Sequence, residues 1–243
     1  MTTTPVITNT TLVALSDPQS AAAEAFRSLR TNIQFAGLDQ TLQMLTVTSA
    51  GIDEGKSLVA ANLAITMAQA EQRVILVDGD LRRPALHTLF GLQNDTGLTS
   101  MLFASADTPA PLQATSVPGL QLLASGPLPP RPADILGSRR MGEILQALRT
   151  QADVIIIDTP PVLAVSDAVV LAPRIDGVLL VMQAGRTRRD QAKQARITLE
   201  KAKAHIVGVV LNGAEMTKPR GTTKHDRYSL PYFAWARRRG ALL

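Results

Sequence analysis

Cysteine is absent from all 243 residues, which excludes a disulfide framework, thiolate zinc sites and iron–sulfur ligation and is compatible with a reducing compartment. Histidine is scarce: His87, His205 and His225 are scattered without metal-ligand spacing, so each reads as a surface or half-buried ring. No apolar run approaches the ~18–20 residues that span a bilayer. The opening MTTTPVITNTT has neither the basic region nor the apolar stretch of a signal peptide. The expectation is a soluble chain working in the cytoplasm. What is present is 45% hydrophobic residues, enough for one large domain with a sizeable core.

The net charge of +5 is unevenly spread. Residues 217–243 hold seven lysines and arginines against Asp226, a net of +6 that leaves −1 for residues 1–216. A basic tail alone could bind DNA electrostatically, but the neutral body offers no second patch, so no nucleic-acid partner is expected. Three segments follow: an irregular, threonine-rich arm over 1–15, a folded domain over 16–213, and a flexible, basic, tyrosine-containing tail over 214–243.

The folded part is organised around residues 42–57. The β-rich run Met44 to Thr48 leads into Ala50-Gly51-Ile52-Asp53-Glu54-Gly55-Lys56-Ser57, and the stretch from Leu58 to Ala68 reads as a helix. Strand, small-residue loop and helix in that order make a phosphate loop, in which backbone N–H groups and the helix N-terminus face the phosphates. Lys56 is expected to reach the β- and γ-phosphates and the Ser57 hydroxyl to ligate Mg²⁺. Asp53 and Glu54 oppose a triphosphate unless they turn outward to solvent.

Two more apolar runs end in carboxylates. Arg73-Val-Ile-Leu-Val-Asp78-Gly79-Asp80 reads as a strand buried on both faces, and Asp153-Val-Ile-Ile-Ile-Asp158 as another. In open α/β sheets the C-terminal ends of the strands are where ligands bind. Asp78 and Asp80, two apart on an extended path, point the same way toward a metal or a hydroxyl, or else form an acidic turn that caps a helix. Asp158 takes the place of the carboxylate that holds Mg²⁺ beside a phosphate loop.

The remaining pattern alternates. Ser16-Asp17-Pro18 starts a helix with Asp17 as cap, Ala22, Phe26, Leu29 and Ile33 facing the core, and Glu24, Arg27 and Arg30 on another face. That charged face is either a solvated stripe or a protein contact. Short helical pieces such as 99–104, a strand over 119–124, a proline-rich loop over 126–132, a helix through 140–148 and a helical turn over 166–172 follow. A strand over 177–182 leads to Thr187-x-x-Asp190, which resembles a capping box opening a helix. A strand over 206–212 closes the sheet, its final Asn212 placed to read a base edge or to bond a turn. The expected fold is α/β: a mainly parallel sheet of at least five strands with helices on both faces.

Four stretches together, Glu24-Ala-Phe-Arg27-Ser-Leu-Arg30-Thr-Asn-Ile, the phosphate loop, Val77-Asp-Gly-Asp-Leu-Arg-Arg-Pro84 and Ile157-Asp-Thr-Pro-Pro161, resemble the bacterial tyrosine kinases of capsular and exopolysaccharide synthesis. These form a branch of the MinD/ParA-type P-loop ATPases, and the resemblance, to the stand-alone form, covers roughly residues 12–213. It implies ATP and Mg²⁺ as cofactors. Nucleotide contacts would come from Gly51, Asp53, Glu54, Gly55, Lys56, Ser57, Leu58 and Asn212, and metal contacts from Ser57, Asp80 and Asp158. Lys56, Asp78, Asp80, Arg82 and Asp158 would carry the chemistry, Asp78 accepting the proton of a tyrosine hydroxyl and Arg82 neutralising transferring charge. Glu24, Arg27 and Arg30 match the family's ring-forming Glu-x-x-Arg-x-x-Arg helix.

The resemblance also implies partners: a membrane-embedded chain-length or activator protein acting through its cytoplasmic segment, and a cognate phosphatase. The chain would then sit in the cytoplasm at the inner face of the membrane. Two features depart from the family. Ile52-Asp53 replaces the usual Pro-Gly of the loop, which demands a compatible φ at Asp53 and adds negative charge near phosphates. The tail offers only Tyr228 and Tyr232 as acceptors, beside Phe233, Trp235 and an arginine triplet that also suit a membrane-surface anchor. Two other functions stay open: a MinD/ParA-like positioning ATPase, disfavoured because Gly51 stands where its signature lysine belongs, and a nucleotide-binding scaffold of polysaccharide assembly without kinase activity.

Overall fold

A computed structural model describes residues 12–37, 41–104, 108–214 and 233–234. Among the described residues eight strands form one sheet: β1 (Met44–Ser49), β2 (Val74–Asp78), β3 (Gln113–Ala114), β4 (Leu120–Leu123), β5 (Val154–Asp158), β6 (Gly177–Gln183), β7 (Ile206–Asn212) and β8 (Phe233–Ala234). Their order across the sheet is β3-β4-β2-β5-β1-β6-β7-β8. The six inner strands run parallel, and only the two edge strands, β3 and β8, pair antiparallel.

The helices are α1 (Val13–Ser16), α2 (Ala21–Ala36), α3 (Lys56–Ala68), α4 (Leu86–Phe90), α5 (Leu98–Phe103), α6 (Pro132–Leu136), α7 (Arg139–Arg149), α8 (Asp167–Leu171) and α9 (Arg189–Lys201). Every residue of β1, β2 and β5 is buried, as continuous apolar strands between two helical layers must be. Alternate residues of each strand face opposite layers. Leu45, Val47, Leu76 and Ile156 pack with α2 and α3, whereas Met44, Ile75, Val77, Ile155 and Ile157 pack with α7. Under α9 a third cluster gathers Val178, Leu180 and Met182 with Ala192, Ala195 and Leu199.

Helix α3 is buried along its whole length from Val59 to Ala68, because the sheet covers one side and α1 and α2 the other. Its small residues Ala60, Ala61 and Ala64 permit that close double contact. Its buried Asn62 is spent on one of α1's orphan donors, accepting the Ala14 N–H at 2.9 Å.

Several local expectations shift. The cap of α2 is Ser20, whose Oγ accepts the Ala23 N–H at 3.1 Å, not Asp17. Residues 17–20 form a turn first, and Asp17 contributes its carbonyl to Ser20 Oγ. A helical turn, Val13–Ser16, occupies the end of the segment read as an irregular arm. Helices α4 and α6 went unread, since five residues are too short for a period to declare itself. The tail positions Tyr228 and Tyr232 lie outside the described residues.

Candidate active site

Because the inner strands are parallel, β1, β2 and β5 end at one edge, and there the three motifs meet. Val47 is paired with Asp158, and Asp78 with Asp158, so the end of β5 lies between the phosphate loop and the Asp78-Gly79-Asp80 segment. The approach of these two carboxylate-bearing ends is close. Gly79 donates its N–H to the Asp158 carbonyl at 2.9 Å, and a Cβ on Gly79 would lie 2.8 Å from that same oxygen.

The loop itself is held in a left-handed arc by Asp53 at φ 57° and Gly55 at φ 83°. Aspartate visits this region more readily than most residues, and its carbonyl accepts Arg186 Nη1 at 3.2 Å. Asp53 thus holds a left-handed conformation that glycine takes freely and aspartate tolerates at a cost, and the residue is exposed. Glu54 does not turn outward to solvent. It is buried, with Oε2 accepting the Gly51 N–H at 2.9 Å and Oε1 accepting the Thr187 hydroxyl.

An open cleft of about 230 Å³ lies beside this loop, lined by residues 52–58 with Asp80, Arg83, Ala85 and Pro161. Lys56 Nζ reaches across it to Asp80 Oδ2 at 2.8 Å, Asp158 Oδ2 at 3.5 Å and Ser57 Oγ at 3.2 Å. The Ser57 hydroxyl also donates to Asp158 Oδ2. Burial alone would lower the proton affinity of Lys56, but Asp158, Asp80 and Asp78 outweigh it and hold the ammonium above its ordinary value. Burial pushes Asp158 up to about 6, opposed by Lys56 and the Ser57 hydroxyl. It pushes Asp78 further, to about 8, helped by the neighbouring Asp158 charge and opposed by the Leu86 N–H.

Asp78 and Asp80 do not act as a matched pair. Asp80 lines the cleft, its Oδ1 accepting the N–H groups of Arg82 and Arg83 at 3.3 and 3.0 Å. Asp78 sits behind it, fully buried, with Oδ2 accepting the N–H groups of Ala85 and Leu86, each at 3.0 Å. The two carboxylates therefore do not point the same way: Asp78 is taken up by the turn into α4, and Asp80 alone faces the cleft. Asp78 Oδ1 and Asp158 Oδ1 are buried and lack a hydrogen-bond partner.

The other sequence-selected residues fall in three places. Arg82 is drawn to the fully buried Asp167 at the start of α8, with guanidinium contacts of 3.0, 3.1 and 3.2 Å. Asn212 bonds the phosphate loop, its Nδ2 donating to the Glu54 carbonyl at 3.1 Å and to Gln183 Oε1 at 3.3 Å. Glu24 and Arg27 pair on the α2 surface at 2.7 Å, far along the chain from the cleft, whereas Arg30 turns inward and donates to the Thr66 carbonyl at 2.7 Å. The shared charged face of the three is thus divided, because α3 has carbonyls near its C-terminus to satisfy.

Sequence reasoning missed Asp167 and misassigned Thr187. The signal at Thr187-x-x-Asp190 was legible, but the helix begins one residue later: Arg188 is the N-cap, with its N–H donated to Gln191 Oε1 at 3.1 Å. Thr187 Oγ1 instead accepts the Gln183 N–H at 2.8 Å and donates to Glu54.

Residues 40–232 match a family model described as ParA, NUBPL iron-transfer P-loop NTPase, although they contain no cysteine to bind iron through a thiolate. Tyrosine-protein kinase YwqD of Bacillus subtilis (strain 168) is 41% identical over 207 residues, covering 85% of this chain and 87% of that protein. Tyrosine-protein kinase Etk of Escherichia coli (strain K12) is 35% identical over 205 residues, which are 84% of this chain but only 28% of Etk. The solved kinase domain of Escherichia coli ETK superposes with a TM-score of 0.77 at 33% identity, covering 87% of this chain and 84% of that one.

Proposed function

Because the chain belongs to the bacterial tyrosine kinases within the ParA-type P-loop ATPases, we propose that it is an ATP-dependent protein-tyrosine autokinase that regulates capsular or exopolysaccharide polymerisation and export. The observation that carries this reading is the convergence of Lys56, Ser57, Asp80 and Asp158 on one cleft beside a phosphate loop.

The chemistry follows from charge. A γ-phosphoryl group passes between oxygens with negative charge spread over its equatorial atoms, so catalysis is positioning plus neutralisation. The loop N–H groups and Lys56 bind the β- and γ-phosphates, Lys56 exchanging carboxylate partners for phosphate. Mg²⁺ fits Ser57 and Asp158, with Asp80 beside them: Asp158 carries a buried oxygen with no hydrogen-bond partner, next to a hydroxyl it already holds. When bound, the metal supplies positive charge to the phosphates. Burial raises Asp78 to about 8, so its ionised form, the minor one at neutral pH, is basic enough to take the proton of a phenol. The segment after it must open first, since Asp78 is fully buried and does not line the cleft. Arg82 reaches transferring charge only after leaving Asp167.

Tyr228 and Tyr232 are the proposed acceptors, and Glu24 with Arg27 the proposed contact between subunits of a ring. A membrane-embedded partner's cytoplasmic segment would recruit the chain to the inner membrane face, and a phosphatase would reverse the modification. Among the described residues no helix is long and apolar enough to cross a membrane.

The test is phosphotyrosine formed on purified protein with Mg-ATP, in wild type, Lys56→Met and the Tyr228→Phe/Tyr232→Phe double variant, with and without the partner's cytoplasmic peptide. Label in the wild type alone is expected. ATP binding without label under every condition would leave the scaffold reading in place of the kinase.

A further inference from the structure

A carboxylate buried inside a phosphate-binding loop is costly unless its oxygens are hydrogen-bonded, and Glu54 is 3% exposed. Gly51 N–H satisfies Oε2 and the Thr187 hydroxyl satisfies Oε1. The direction of the second bond is fixed by chemistry: an ionised carboxylate only accepts, and Thr187 Oγ1 already receives the Gln183 N–H at 2.8 Å. The hydroxyl proton therefore belongs to Glu54. Thr187 lies on the turn between β6 and α9 and is not among the residues that line the cleft. The same turn grips the loop again through Arg186, on the Asp53 carbonyl at 3.2 Å.

We propose that Thr187 is a positioning residue for nucleotide binding, acting through Glu54 to fix the arc from Gly51 to Gly55. The proposal rests on the phosphoryl-transfer reading above and deepens it. With the hydroxyl removed, Glu54 retains only the Gly51 N–H for its charge. The carboxylate is then drawn toward water, releases Gly51 and presents negative charge where the phosphates must lie. That opposes bound nucleotide equally before and during transfer, so affinity falls while turnover is kept.

The experiment measures ATP affinity by titration, independently of phosphorylation, together with KM, kcat and Tm, in wild type, Thr187→Val, Thr187→Ser, Glu54→Gln and Glu54→Gln/Thr187→Val. Thr187→Val, which preserves volume, is expected to weaken ATP binding and raise KM about 10-fold with kcat within about 2-fold. Thr187→Ser restores the hydroxyl and wild-type affinity. In the Glu54→Gln background the Thr187 substitution costs less than in wild type, since no charge is left there to be drawn toward water. Wild-type affinity in Thr187→Val overturns the proposal, as does a loss confined to kcat or full multiplication of the two single effects. If Thr187→Val melts below the assay temperature, the contrast between Thr187→Ala and Thr187→Ser reads the same hydroxyl. Failure of the wild type to bind ATP overturns the proposed function itself, a separate result from normal binding that ignores Thr187.

Discussion

At the scale of single residues the site is a stack of three carboxylates around one ammonium, and their proton affinities have consequences for stability. Asp78 has an ordinary value of 3.8 and a folded value of about 8. The folded protein therefore binds a proton there that the unfolded chain releases, and the stability this represents is fully present below pH ~4 and lost as pH rises toward about 8. Asp158, raised to about 6, acts in the same sense over a narrower window. In EDTA the Tm is expected to fall between pH 6 and 8. Asp78→Asn, which keeps an oxygen for the Ala85 and Leu86 N–H groups, should flatten that slope, raise Tm at pH 8 by a few degrees and reduce phosphorylation. Equal slopes in the two proteins would show that Asp78 does not hold the proton. Lys56→Met removes the cation that offsets Asp80 and Asp158, and ATP binding is expected to drop by more than about 100-fold, measured by titration.

At the scale of elements, the ends of β2 and β5 are set against each other through Gly79. A methyl group there meets the Asp158 carbonyl at 2.8 Å, backbone that cannot step aside cheaply. Gly79→Ala is expected to cost about 1–3 kcal/mol and at least about 10-fold in phosphorylation, because it separates the carboxylates of two strands. Circular dichroism melts and a label assay would separate the two effects. Helix α8 contributes in the same way: its buried Asp167 fixes Arg82, whose side chain is 39% exposed. Asp167→Asn should lower stability by about 1–2 kcal/mol, the partial exposure of Arg82 moderating the loss, seen as a lower urea midpoint.

At the scale of the whole molecule, α2 divides its charges between outside and inside. Arg30 holds a carbonyl in the last turn of α3, whereas Glu24 and Arg27 pair on the surface. Arg27→Glu is therefore expected to reduce assembly size by light scattering, with a smaller fall in Tm than Arg30→Ala. Arg30→Ala should lower Tm by a few degrees whatever the assembly state. Equal behaviour of the two variants would contradict this division. The sheet edge at β7 is covered by β8, with Val210 paired to Phe233, so the chain beyond the last parallel strand contributes to the edge instead of leaving it open.

The sequence by itself determined the classes of element and their order. Apolar runs ending in carboxylates declare buried parallel strands, and the small-residue loop between strand and helix declares phosphate binding, because both signals are local and periodic. It also marked Asp53 as a position where φ matters, and the structure sets that φ at 57°, in the left-handed region. Tertiary structure alone decided which strands are neighbours. The placing of β1 between β5 and β6 brings Ser57 to Asp158 across 101 residues and Glu54 to Thr187 across 133. It also decided that Asp78 faces α4 while Asp80 faces the cleft, and that Thr187 serves the loop and not its own helix. A side chain's partner is chosen by the groups that burial leaves unsatisfied around it, and those groups come together only when the sheet has formed.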